Sequence, residues 1–136
     1  MAHPALAGAL CGSSTTGIHY SVVLGSLMRL GGADLVLFPS SYGTVTLSSQ
    51  DTEAITLELV RPSVVRKSFP VPSAGIHPGL IPQILKDYGN DVVINAGGGV
   101  HGHPQGARAG AIAFQQAIQG VEGQELREAL HLWKTK

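Results

Sequence analysis

Three stretches of this chain carry an apolar run into small residues and glycine: ADLVLFPSSYG (Ala33 to Gly43), FPVPSAGIHPG (Phe69 to Gly79) and VVINAGGGVHGHP (Val92 to Pro104). Each is followed by a helical pattern. A chain that repeats strand, glycine turn and helix exposes bare backbone at its strand ends, and only bare backbone approaches phosphate oxygens closely. The pattern predicts parallel βα units and a phosphate-binding site, or part of one.

The 136 residues suffice for one core, and with 43% hydrophobic but only 13% charged residues some of the surface is expected to be covered. Net charge is zero, and Arg29, Arg61, Arg66, Lys67 and Arg108 gather into no basic stripe, which argues against nucleic acid. Cys11 is the only cysteine, so no intramolecular disulfide forms and a cytoplasmic setting is expected. No apolar run reaches the roughly 18 to 20 residues that span a bilayer, and the start, MAHPALAGALCG, lacks the basic region of a signal peptide. Its His3-Pro4 reads instead as the end of a truncated strand.

Val22, Val23, Leu24, Leu27, Met28 and Leu30 form a wide apolar face, predicting a helix from Ile18 to Leu30 that Gly31-Gly32 stops. Ala33 to Phe38 is a short apolar strand of the kind covered on both sides. Ser48 and Ser49 supply capping oxygens and Asp51 and Glu53 early acids for a helix from Asp51 to Val60, ended by Pro62. Phe69 to Ala74 is a weaker strand, because Pro70 and Pro72 lack the donor a central strand uses. Ile81, Ile84, Leu85 and Tyr88 make a helical stripe closed by Gly89. Val92 to Asn95 is the expected third strand. Ala109, Ile112, Ala113 and Ala117 face one way on the following helix, and Leu126, Leu130 and Trp133 on a last, peripheral one within residues 121–136.

Three strands in order would leave a narrow sheet with two open edges. Repeated βα units whose strand C-terminal ends all carry polar residues and glycine match part of a (β/α)₈ TIM barrel, where active sites occupy that face. A whole barrel takes about 250 residues, so residues 1–136 are read as one partial barrel domain, about half.

Gly97-Gly98-Gly99 leads into a short turn and a helix near Gln105 or Gly106, and its consecutive N–H groups are suited to an anion; a plain tight turn is the alternative. Ser73 and Gly75 end the second strand, with the serine either donating to a phosphate or substrate hydroxyl or bonded to its own backbone. His3, His77, His101 and His103 invite a metal reading, but His101 and His103 have no third ligand at suitable spacing and no carboxylate nearby. His77 and His101 read better as hydrogen-bonding groups near substrate, and His103 before Pro104 as a turn residue. His19 reads as a capping or surface histidine, and Arg29 as a partner either for an acid on a covering domain or for substrate. Asp34 begins its strand, the stability face of a barrel.

HPALAGAL, LMRLGGADLVLFPSSYG, FPVPSAGIHPG and INAGGGVHGHPQGARAGA resemble the C-terminal barrel half of the RuBisCO large-chain superfamily. The likeness is nearest to the RuBisCO-like branch that includes the 2,3-diketo-5-methylthiopentyl-1-phosphate enolases of methionine salvage, and runs from His3 to about Gly120. It implies strands six to eight of the barrel. It also implies that Gly97 and Gly98, with Gly99, bind the substrate phosphate, that Ser73, Ala74 and Gly75 line the site at the end of strand seven, and that His3 lies near substrate at the end of strand five. The loop matching the mobile carboxylase loop, Pro39 to Ser49, holds no lysine, and Pro4 and Leu37 stand where carboxylases carry second-phosphate ligands. A substrate with one phosphate fits, and carboxylation does not.

The resemblance implies enolisation, with Mg²⁺ stabilising the enediolate. The family's metal ligands, a carbamylated lysine and two acids, belong to strand two, which precedes residue 1. Glu53, Glu58, Asp87 and Asp91 fall in helices or helix-strand turns, so no metal or catalytic residue is assigned within the chain. The expectation is therefore an Mg²⁺-dependent enolase or isomerase of a phosphorylated ketose-like substrate at full length, a homodimer with no nucleic-acid or membrane partner. The alternative is an inactive or truncated remnant that binds phosphate or serves as an interaction protein.

Overall fold

The computed structural model describes residues 1–13 and 15–134, so residues 135 and 136 of the expected last helix lie outside it. The chain divides into two compact units, Met1–Ala74 with Asp91–Ile94, and Gly75–Asn90 with Asn95–Lys136.

In the first unit, α1 (Ala7–Cys11) precedes α2, whose π-helical stretch Ser21–Leu27 runs into α-helical Met28–Leu30. Next come β1 (Leu35–Pro39), α3 (Ser49–Val60) and β2 (Phe69–Ser73). Helix α3 begins where local chemistry requires it: Ser48 accepts from Asp51 N–H at 3.0 Å, offsetting one orphan donor, and the helix ends before Pro62. Helices α2 and α3 pack on each other and on the strands. Leu24, Val36, Phe38, Ile55, Leu59 and Val71 are buried in this core, each contributing about 1.5–3 kcal/mol of apolar transfer. Strand β1 is fully covered on one face and partly on the other, since Val36 and Phe38 are buried while Leu35, Leu37 and Pro39 are half-buried.

The strands run parallel in chain order. Ala2 makes an isolated parallel bridge to Val36 on one side of β1, just before His3-Pro4. On the other side β2 pairs with β1 from Leu35–Phe69 to Pro39–Ser73. Phe69 N–H donates to Asp34 O at 2.7 Å, so by strand alternation Phe69, Val71 and Ser73 turn their N–H groups to β1, and Pro70 and Pro72 face away. On that far side Val93 N–H donates to Pro70 O at 3.1 Å. The return bond of a parallel ladder would come from residue 72, and proline has no N–H to give. The expected third strand, Val92 to Asn95, is accordingly not formed; residues 92–96 run without ladder pairing.

In the second unit a 3₁₀ turn (Pro78–Leu80) leads into α4 (Ile81–Tyr88), which Gly89 closes at φ 73° with its N–H on Leu85 O. Then follow α5 (Gly97–His101), α6 (Ala107–Gln119) and α7 (Gln124–Lys134). Ile76, Ile81, Ile84, Ala109, Ala113, Phe114, Leu126 and Ala129 are its core. Phe114 lies outside the stripe expected for α6, whereas Ile112 and Ala117 are only half-buried.

Candidate functional site

His3 follows the Ala2 bridge and is exposed, with its carbonyl accepting from Ala5 N–H at 2.8 Å. At the end of β2, Ser73 is 9% exposed and its hydroxyl donates to Val71 O at 3.0 Å, the arrangement of a serine bonded back to its own strand. Ala74 sits at φ 70°, in the left-handed region that non-glycine residues rarely enter. Such strain persists only where neighbours over-determine the backbone. Here the neighbours are the segment after β1: Ser40 N–H donates to Ser73 O (3.0 Å), Thr44 N–H to Ala74 O (3.2 Å), and Leu47 N–H to Ser40 O (3.3 Å). Gly43 lies so close that a β-carbon there would overlap the Ala74 carbonyl, so only glycine allows this approach. Gly43, missed by sequence reasoning, is thus what seats the lysine-free loop on the PSAG turn. Ser40 is fully buried beside it, and its hydroxyl finds no partner among the described residues.

In the second unit Gly75, at φ 79°, is exposed and continues the left-handed turn. The triplet Gly97-Gly98-Gly99 is itself the first turn of a short helix, α5, which the sequence did not show and which no side chain among the described residues caps; the expected turn follows it at residues 102–105, and α6 then starts after Gly106, near the expected position. The first intrahelical bond is Val100 N–H to Ala96 O at 3.0 Å, so the three glycine amides precede the hydrogen-bonded ladder. The glycines differ. A β-carbon on Gly99 would overlap the Ile76 carbonyl and stand 2.9 Å from Phe114 Cζ, so close packing requires this glycine. At Gly97 and Gly98, both exposed, a β-carbon would meet nothing within 4 Å. Neither has a positive φ. Nothing among the described residues demands glycine at these two positions, although each costs a helix roughly 0.5–1 kcal/mol relative to alanine.

The histidines separate by environment. His103 is buried, its Nδ1 accepting from Gln105 N–H (3.1 Å) and its Nε2–H donating to Glu125 O (2.9 Å), so both nitrogens are engaged and neither is offered to a metal. His101 is exposed. The His77 ring stacks parallel to Trp133 with centroids 5.4 Å apart, and burial lowers its pKa from the ordinary imidazole range. His19 lies just before α2, its Nδ1 accepting from Ser21 N–H at 3.2 Å while Nε2 faces Asp51 Oδ1 at 3.4 Å. Burial first, and then the charge of Asp51, push the Cys11 thiol up. Arg29 is 4% exposed and neither meets an acid of a covering domain nor stands open to a ligand: it donates to the carbonyls of Glu58, Arg61, Val65 and Arg66 at 2.7–2.9 Å. Among the described residues no group of three or more His, Cys, Asp or Glu is arranged to hold a metal ion. No helix among them is long and apolar enough to cross a membrane.

The profile of the ribulose bisphosphate carboxylase large chain, catalytic domain, matches residues 1–134. The 2,3-diketo-5-methylthiopentyl-1-phosphate enolase of Bacillus cytotoxicus is 54% identical over 144 residues, covering 98% of this chain and 34% of that protein. The crystal structure of a rubisco-like protein from Alicyclobacillus acidocaldarius superposes with a TM-score of 0.90 at 48% identity, over 96% of this chain and 36% of that one. An octameric ribulose-1,5-bisphosphate carboxylase/oxygenase from Pyrococcus horikoshii gives a TM-score of 0.87 at 33% identity, over 98% and 35%. The chain therefore spans about a third of the length of the relatives it matches.

Proposed function

The chain belongs to the ribulose bisphosphate carboxylase large-chain family, in its RuBisCO-like branch, and we propose that it supplies the phosphate-binding end of an enolase acting on 2,3-diketo-5-methylthiopentyl-1-phosphate or a close phosphomonoester. The observation that carries this reading is the pair Gly97 and Gly98, glycines that no internal contact explains, at the start of a helix no side chain caps. A ligand that must touch the backbone supplies the missing reason. Three sequential amides at a helix start present partial positive charge without a cationic side chain, and a phosphate dianion is matched to that arrangement. Ser73, Ala74, Gly75, Gly99 and His3 complete the proposed lining, with Ala74 and Gly75 bending the backbone after β2 through left-handed conformations. The barrel to which these βα units belong, with β1 and β2 as its strands six and seven and residues 92–95, unpaired here, at the place of strand eight, is part of the same proposal, as are the homodimer and cytoplasmic setting.

The whole protein's enolisation would use Mg²⁺ to stabilise the enediolate. The described residues of this chain do not form its site, and what the chain contributes is orientation: a phosphate fixed at one end places the carbonyl-bearing carbons at a constant distance from groups elsewhere in the protein. The lysine-free loop seated on Ala74 by Thr44 supports an enolase without a carboxylation step.

The experiment is turnover of the diketo phosphomonoester by the intact protein, followed as enol absorbance, with Gly97→Ala and Gly98→Ala alongside. Enol formation with a raised KM in the variants is expected. No turnover of this or any related phosphomonoester would overturn the reading and leave the non-catalytic phosphate-binding or interaction role.

A further inference from the structure

The family match runs on past Gly120 to residue 134, and in the second unit the residues around the glycine triplet are fastened to this last segment. The His77 ring lies flat on Trp133 at 5.4 Å. Trp133 Cζ2 stands 3.5 Å from where a β-carbon on Gly102 would be, immediately after α5. One residue on, buried His103 donates from Nε2 to Glu125 O at 2.9 Å, and Gln105 Nε2 donates to Glu128 Oε1 at 2.9 Å. Positions 102, 103 and 105 are thus all tied to α7. On its other flank α5 rests against Ile76 and His77, because a β-carbon on Gly99 would stand 3.0 Å from His77 Cα.

A five-residue helix opened by three glycines cannot hold its own direction, since helices this short are unstable without tertiary support. Its axis, and so the direction in which its first amides point, is set by what grips it. The grip comes from α6, whose Phe114 stands against Gly99 and whose Gly110 lies against Val100, and from α7, which holds the segment just after α5 at Gly102, His103 and Gln105 and covers the His77 ring with Trp133.

We infer that Trp133 and His103 are positioning residues for phosphate binding: α7 braces α5 so that Gly97 and Gly98 N–H converge on the phosphate. The inference rests on the phosphate reading above and adds to it which residues set the affinity. Neither side chain touches the ligand, so their loss weakens a contact made equally in ground and transition states, which raises KM and leaves kcat.

The test uses the intact protein with Trp133→Ala, Trp133→Phe and His103→Ala. Inorganic phosphate is titrated by calorimetry, KM and kcat are measured with the diketo phosphomonoester, and amide hydrogen exchange is followed over residues 98–102. Expected are an about tenfold weaker phosphate affinity in Trp133→Ala, a parallel rise in KM with kcat kept within about twofold, faster exchange across α5, and recovery in Trp133→Phe, which retains the stack. His103→Ala carries the same test should Trp133→Ala fail to fold. Unchanged phosphate affinity in the variants, against an unsubstituted protein that binds phosphate, overturns this inference alone. No phosphate binding by the unsubstituted protein overturns the phosphate reading and this inference with it.

Discussion

Arg29 and Glu58 carry opposite charges and touch, yet the contact is a guanidinium bonded to a main-chain carbonyl: Nη1 donates to Glu58 O at 2.9 Å. The Glu58 carboxylate is turned elsewhere, to Ser26 Oγ (2.6 Å) and Arg61 Nε (2.8 Å). Arg29 therefore acts as a buried cap on the last turn of α3 and the loop behind it, satisfying carbonyls that end a helix without intrahelical partners.

Removing that cap leaves the carbonyls of Glu58, Arg61, Val65 and Arg66 without this donor. Arg29→Met is expected to lower stability by about 3 kcal/mol. Arg29→Lys is expected to recover less than half, because one ammonium cannot reproduce the guanidinium fork. Urea midpoints of the intact protein check both.

The hydrogen bond from Ser26, with Arg61 adding a second bond and its charge, holds the Glu58 carboxyl below the usual carboxylate range. A depressed folded-state pKa means the stabilisation is fully present above the unfolded value and is lost as pH falls through the folded one. Glu58→Gln should lose stability at neutral pH and narrow its gap to the unsubstituted protein on acidification below about pH 4. Unfolding midpoints across that range would expose the error if the gap stayed constant.

The three glycines of the triplet should respond differently to substitution. Gly97→Ala and Gly98→Ala meet open space and should raise helix stability by about 0.5 kcal/mol each while weakening phosphomonoester binding. Gly99→Ala forces a β-carbon into the Ile76 carbonyl and should destabilise by about 2–3 kcal/mol. Thermal unfolding paired with calorimetric titration reads both signs.

Ala74→Gly relieves a left-handed alanine and should stabilise the turn by about 1 kcal/mol. Gly43→Ala should have the opposite effect, since its β-carbon would overlap the Ala74 carbonyl. Thermal midpoints of the two variants moving in the same direction would contradict the packing described between these residues.

What the sequence determined by itself is the part governed by neighbours along the chain. Ser48 three residues before Asp51 caps α3, Gly89 closes α4, Gly31-Gly32 stops α2, and the glycine-bounded strand ends declare βα units because caps and turns are decided within a few residues. The family resemblance rests on the same local motifs. Only the tertiary structure decided that Val92 to Asn95 does not pair as a strand, since that depends on which side of β2 the N–H groups of Pro70 and Pro72 are missing from. It likewise turned Arg29 into a helix cap through partners 29 to 37 residues away, and tied His103 to Glu125 across 22. Three adjacent glycines read alike in the sequence. Close packing demands one of them and leaves the other two open, because a missing β-carbon acquires meaning only from what the folded chain brings against it.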